Sequence, residues 1–129
     1  MKTLRKELRA IAKQYKVQLQ FYSARGIPYA WPRKSEIYIY TGGYSRNSVL
    51  SSFFHELGHI IDYRNGLFPG YYVHYPTKAY LRRYAIKAEI HTDKTGKGLM
   101  KSYYPHDHFI ETYRYKSWQK WLLEYWEIA

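Results

Sequence analysis

Residues 45–64 read SRNSVLSSFFHELGHIIDYR, and both the fold and the chemistry of the chain turn on them. Val49, Leu50, Phe53, Phe54, Leu57, Ile60 and Ile61 recur at the period of a helix with a buried face. Ser45 and Asn47 are candidate caps and Asn65-Gly66 supplies a stop, so a helix is predicted over about 46–64. Within it His55 and His59 stand four apart, one turn above another on the same face, where two imidazoles can grip one ion. Glu56 is rotated about 100° from His55, which lets its carboxylate approach a water on that ion without competing for a ligand position. The chain has no cysteine, so a transition-metal site must use His, Asp or Glu, and disulfides and thiolate nucleophiles are excluded. One Zn2+ per chain is the natural candidate, with Glu56 as general base. The bland alternative is that the histidines are ordinary polar or buried residues of a helix.

A catalytic zinc usually takes three protein ligands and leaves one position open, so a third must come from elsewhere in the chain. Glu89 is the choice, thirty residues after His59 on a further predicted helix that can present a carboxylate to the first. Asp93, one turn later, is placed to accept the free imidazole N–H of a ligand histidine and fix its orientation. A solvated acidic patch beside Lys87 and Lys94 would also account for this pair. The His-x-His pair at 106 and 108 is an alternative source of the third ligand. His91 is another, but it points about 200° around the helix from Glu89. Asn65, six beyond His59, is a poor ligand, and Asp62 is a candidate for orienting a histidine.

Outward from this core, Leu4, Leu8, Ile11, Ala12 and Tyr15 mark a helix from Thr3 to about Lys16. The alternating stretches VQLQFY (17–22) and EIYIYT (36–41) read as strands. Between them Gly26, Pro28 and Pro32 suggest a loop or a short extra strand. LFPGYYVHYPT (67–77) reads as a loop, and a third helix starts near Lys78, its end obscured by Gly96 and Gly98 in a pattern that otherwise runs to Pro105. A last helix is expected over about His108 to Glu127. The order is that of an α+β protein, a single domain over residues 1–129.

HELGH at 55–59 and EIHTD at 89–93 together resemble the HExxH and downstream ExxxD of the gluzincin branch of the zinc metallopeptidases. The compact plan is similar to the single-domain zincins of phages and mobile elements, including the ImmA/IrrE type. The resemblance implies a minimal zincin-like domain with an N-terminal helix, a small sheet, an active-site helix, a glutamate-bearing helix and a C-terminal helix. It also implies hydrolysis of a peptide or protein substrate by a zinc-activated water. The chain ends forty residues after Glu89, which leaves no room for the large C-terminal domain of thermolysin-like members. Their oxyanion-stabilising tyrosine or histidine has no motif here, and His106, His108, Tyr103, Tyr104 and Tyr113 are all candidates. A downstream histidine as third ligand would instead resemble the SprT-like zincins. Strand 36–41 is expected to hold the substrate extended by edge pairing.

The 129 residues carry 21 Lys and Arg against 10 Asp and Glu, a formal charge of +11 that favours polyanions or acidic surfaces. Because the basic residues are spread along the chain, nucleic acid is an alternative partner and a basic binding module with a structural or vestigial zinc is the rival function. Seventeen tyrosines and four tryptophans supply many apolar bodies with a polar tip. The charged N-terminus lacks the apolar core of a signal peptide and no membrane span is legible, so a cytoplasmic protein is expected, in a host cytoplasm if phage-encoded.

Overall fold

The computed structural model describes residues 1–73 and 76–126. Among these, four α-helices and a three-stranded sheet form a small α+β structure: α1 (Lys2–Gln14), β1 (Gln18–Tyr22), β2 (Tyr29–Trp31), β3 (Glu36–Tyr40), α2 (Arg46–Arg64), α3 (Lys78–Tyr103) and α4 (Lys116–Tyr125). Short 3-10 turns occupy Pro32–Lys34 and Pro69–Tyr71. Ser45 caps α2 by accepting a hydrogen bond from the Ser48 amide at 3.1 Å, and Thr77 does the same for Tyr80 at the start of α3.

The strand order is β1-β3-β2, with β3 parallel to β1 and antiparallel to β2. Leu19 lies opposite Ile37, Phe21 opposite Ile39 and Ala30 opposite Ile37, so one parity forms a continuous apolar face. That face meets Leu8 and Ile11 of α1 and Leu50, Phe53, Phe54 and Leu57 of α2 in the main core. Both helices therefore cover the same side of the sheet. Twelve of the nineteen α2 residues are buried, which makes α2 the central helix between the sheet and α3. A second apolar cluster joins Leu81 and Ala85 of α3 to Leu122 of α4.

Two expectations are corrected, and the open end of the third helix is located. The substrate-aligning role expected of strand 36–41 fails because β3 is central, its hydrogen-bonding groups used on both sides, while the three-residue β2 is an edge. α3 does not falter at Gly96 but runs on to Tyr103, because Gly96 sits where α3 crosses α2. A Cβ there would lie 2.6 Å from the Phe54 carbonyl oxygen, and one on Gly58 would lie 2.9 Å from that of Thr92, so the two glycines permit a close backbone crossing. Finally, α4 begins at Lys116 rather than His108, since the backbone of the preceding segment is committed elsewhere. The Ile110 amide donates to Ser51 Oγ at 2.9 Å, and the Thr112 and Tyr113 amides donate to Asp93 Oδ2 at 3.2 and 3.1 Å. Glu127, the expected end of that helix, lies outside the described residues.

Candidate metal centre

The buried residues Ala85, Ala88, Glu89, Thr92, Asp93 and Gly96 recur at three- and four-residue spacing along α3, and Glu89, Thr92, Asp93 and Gly96 meet α2. Gly96 lets the helices approach closely, and the polar three meet the histidines. His55 Nε2 and His59 Nε2 converge on Glu89 Oε1, at 2.9 and 3.1 Å. One ligand atom from each residue lies within 4.8 Å of the others, and all three residues are buried, so His55, His59 and Glu89 form a group that could hold a metal ion.

What surrounds these donors decides their orientation. His55 Nδ1 donates to Asp93 Oδ1 at 2.7 Å, while the other Asp93 oxygen accepts the two amides of residues 112 and 113. Asp93 thus aims an imidazole and anchors a loop at once. On the second histidine, Nδ1 lies 2.8 Å from Tyr72 Oη and 3.1 Å from Thr92 Oγ1. The single Thr92 proton goes to Asp62 Oδ2 at 3.1 Å, which leaves its oxygen to accept from the His59 N–H. Both histidines therefore find acceptors at Nδ1 and keep Nε2 turned toward Glu89, the arrangement typical of ligand imidazoles. The remaining Glu89 oxygen, Oε2, accepts from the Tyr71 hydroxyl. Two nitrogens and one carboxylate oxygen suit a borderline divalent ion better than a hard one that prefers oxygen alone.

Burial would lower the basicity of His55, but its hydrogen bonds to Asp93 and Glu89 outweigh burial and hold the imidazole well above its ordinary range. For Glu89 burial acts upward, and the two imidazoles overcome it and hold the carboxyl well below the usual carboxylate range. Glu56 behaves differently: burial pushes its carboxyl up to about 7, against the pull of His55 and His59. Its carboxylate has no side-chain hydrogen bond among the described residues and faces a groove instead. Two cavities of about 370 and 380 Å³ meet at Glu56, one reaching past His55 toward Tyr44 and Val49, the other past His59 toward β2 and Tyr71. Tyr113 and Trp121 line both.

The other sequence candidates lie elsewhere. His106 and His108 are exposed and stand apart from the buried group, and His91 is bonded to Asp62 at 2.9 Å. Asp62 thus orients His91, Thr92 and Thr95 rather than a ligand histidine directly. Tyr103 and Tyr104 pack on Phe54 and bond to Gln14 and Glu7 of α1. Tyr113 alone of the five oxyanion candidates is at the site, its ring stacked on His55 at 5.0 Å. Burial first, and then the Glu89 charge, raise both the Tyr71 and the Tyr113 phenols above their ordinary value, so both are neutral donors. Tyr71, Tyr72 and Thr92 were not foreseen. Tyr71 and Tyr72 sit in the 67–77 loop with no spacing signal. Thr92 was legible, because it lies three residues after Glu89 on the same helix face.

Compared with family models, with curated proteins and with solved structures, the chain matches none. Its functional reading rests on its own residues.

Proposed function

We propose that the chain is a zinc-dependent peptidase of zincin type, in which His55, His59 and Glu89 hold the ion and Glu56 is the general base. The observation that carries the reading is a buried carboxylate without a side-chain hydrogen bond, one residue from a ligand histidine, at the meeting point of two cavities. A bound zinc would supply a Lewis acid that lowers the pKa of water and polarises a carbonyl. Glu56, with a carboxyl raised to about 7, is suited to take a proton from that water and pass it to the departing amine. Tyr113, neutral and held by its own amide against Asp93, is the donor nearest to hand for charge developing on the carbonyl oxygen. The edge strand β2, beside the cavity on the His59 side, is the strand along which an extended peptide would lie.

Elemental analysis of protein purified without an affinity tag or added metal tests the site, with about one zinc per chain expected. Cleavage of a denatured protein substrate tests the chemistry. Glu56→Gln should keep the metal and lose about 10²- to 10⁴-fold in turnover, the usual weight of a general base. No zinc, together with no uptake on titration, overturns the reading. Full metal binding without turnover would favour the rival, a binding module in which the ion ties α2 to α3.

A further inference from the structure

The helices α1 and α2 cover one side of the sheet, and among the described residues no helix or strand covers the other. Eight side chains stand on that open side, and five are aromatic: Tyr22, Tyr29, Trp31, Tyr38 and Tyr40. The remaining three are Gln18, Gln20 and Glu36. Such a face on a half-covered sheet is normally charged or small and polar. Here the tyrosine rings form a row. Tyr40 to Tyr22 is 5.3 Å, Tyr22 to Tyr38 is 6.3 Å and Tyr38 to Tyr29 is 4.5 Å, all stacked, with the latter two pairs within 16° of parallel. Tyr22 and Tyr29 remain 43% and 44% exposed, so these two rings are open to a ligand, while Tyr40 closes one end of the row against Gly26.

Charge surrounds the row on the same stretch of chain. Between residues 16 and 44 there are four basic residues, Lys16, Arg25, Arg33 and Lys34, and one acid, Glu36. The Glu36 carboxylate is taken by the Tyr38 hydroxyl. Lys16 and Lys34 belong to the end where β1 and β3 begin, with the Lys34 ammonium 4.2 Å from the centroid of the Trp31 ring. Arg25 belongs to the opposite end, its guanidinium 5.4 Å over Tyr44. Cations therefore stand at both ends of five-residue strands about 17 Å long, with the aromatic rings between them, which suits a flexible polyanion laid along the face. A second copy of the chain is disfavoured by the formal charge of +11 on each.

We propose that this open sheet face binds single-stranded nucleic acid, with bases extending the tyrosine stack and Lys16, Arg25, Arg33 and Lys34 neutralising phosphates. Single strands are specified because a duplex keeps the faces of its bases stacked inside, whereas an unpaired base can be laid on an aromatic ring. The Gln18 and Gln20 amides supply hydrogen bonds without selecting a base. Tyr29, Trp31 and Tyr40 also border the two cavities at the metal centre, but Tyr22, Tyr38 and the four cations lie outside both, and the proposal stands whether or not the chain is a peptidase.

The test is fluorescence anisotropy of a labelled oligothymidine about 16 nucleotides long with the intact chain, across a salt series. Binding is expected at low salt, weakening as salt rises, with a duplex of equal length competing poorly. The double variant Y22A/Y29A should bind at least about tenfold more weakly, and Y22F/Y29F within about twofold of the native chain, since stacking needs the ring and not the hydroxyl. Nitration of the native chain provides a measurement free of folding effects: the oligonucleotide should protect Tyr22 and Tyr29. Absence of binding at low salt overturns the proposal, as does equal binding of duplex with no dependence on the two tyrosines, which would mean diffuse charge alone. A sedimentation dimer abolished by Y22A/Y29A, without nitration protection by the oligonucleotide, would also overturn it and assign the face to a second copy.

Discussion

Thr92 shows how much of the site is decided by residues that would never touch the ion. Its hydroxyl spends its proton on Asp62 and so becomes an acceptor for His59, which holds that imidazole in the tautomer with Nε2 free. Thr92→Val keeps the shape and removes the hydroxyl, leaving a fully buried position without its polar bridge. Metal affinity should fall about 10- to 100-fold, as for other partners of ligand histidines, read by competition with a chromophoric chelator. Asp62 is 1% exposed and, among the described residues, would keep His91 and Thr95 as side-chain partners. An unchanged affinity would mean that Tyr72 alone, 2.8 Å from the same nitrogen, orients His59.

Among the elements, the α2–α3 crossing yields the sharpest contrast, because two glycines two residues apart have opposite meanings. A methyl at Gly96 meets the backbone of Phe54 and His55 at 2.6–3.0 Å, and backbone cannot step aside as a flexible side chain can. Gly96→Ala should therefore destabilise by roughly 1–3 kcal/mol or more, as overpacking does. A methyl at Gly98 meets nothing within 4 Å, so Gly98→Ala should stabilise by about 0.5–1 kcal/mol through helix propensity. Urea unfolding of the metal-free chain checks both signs. In sequence the two glycines look alike, which is why the end of α3 could not be read while α2, with its cap, apolar period and stop, was legible at 46–64. Helix period and strand alternation are local signals. The position of β3 is set by its pairing with β1 and β2 and the conformation of residues 108–115 by distant Asp93 and Ser51, partners that leave no local trace. The same division holds at the centre itself: the spacing of His55, Glu56, His59, Glu89 and Asp93 was visible, whereas the tyrosines of the 67–77 loop were not.

For the molecule as a whole, the ion would cross-link α2 to α3 beside the loop that Asp93 anchors, so metal occupancy and stability should move together. At a free metal concentration about a thousandfold above Kd, the native state gains about 4 kcal/mol, and chelation should lower the melting temperature accordingly. Acid should act in the same direction. Metal-free His55 holds its proton more tightly than an ordinary imidazole, so proton competition begins to weaken metal affinity at a higher pH than at an ordinary histidine, and the metal's stabilisation shrinks as pH falls. A calorimetric melting temperature that drops between neutral and mildly acidic pH in the holo chain, and much less in the chelated one, is the expected pattern. The chain places no helix long and apolar enough to cross a membrane among its described residues.

The edge strand β2 is three residues long and lies between Pro28 and Pro32, neither of which has an N–H to donate. A visiting strand can zip along it for only a residue or two before the ladder runs out of donors. This stretch of edge therefore cannot template the open-ended sheet growth that leads to fibrils, a useful restraint beside a face crowded with tyrosine.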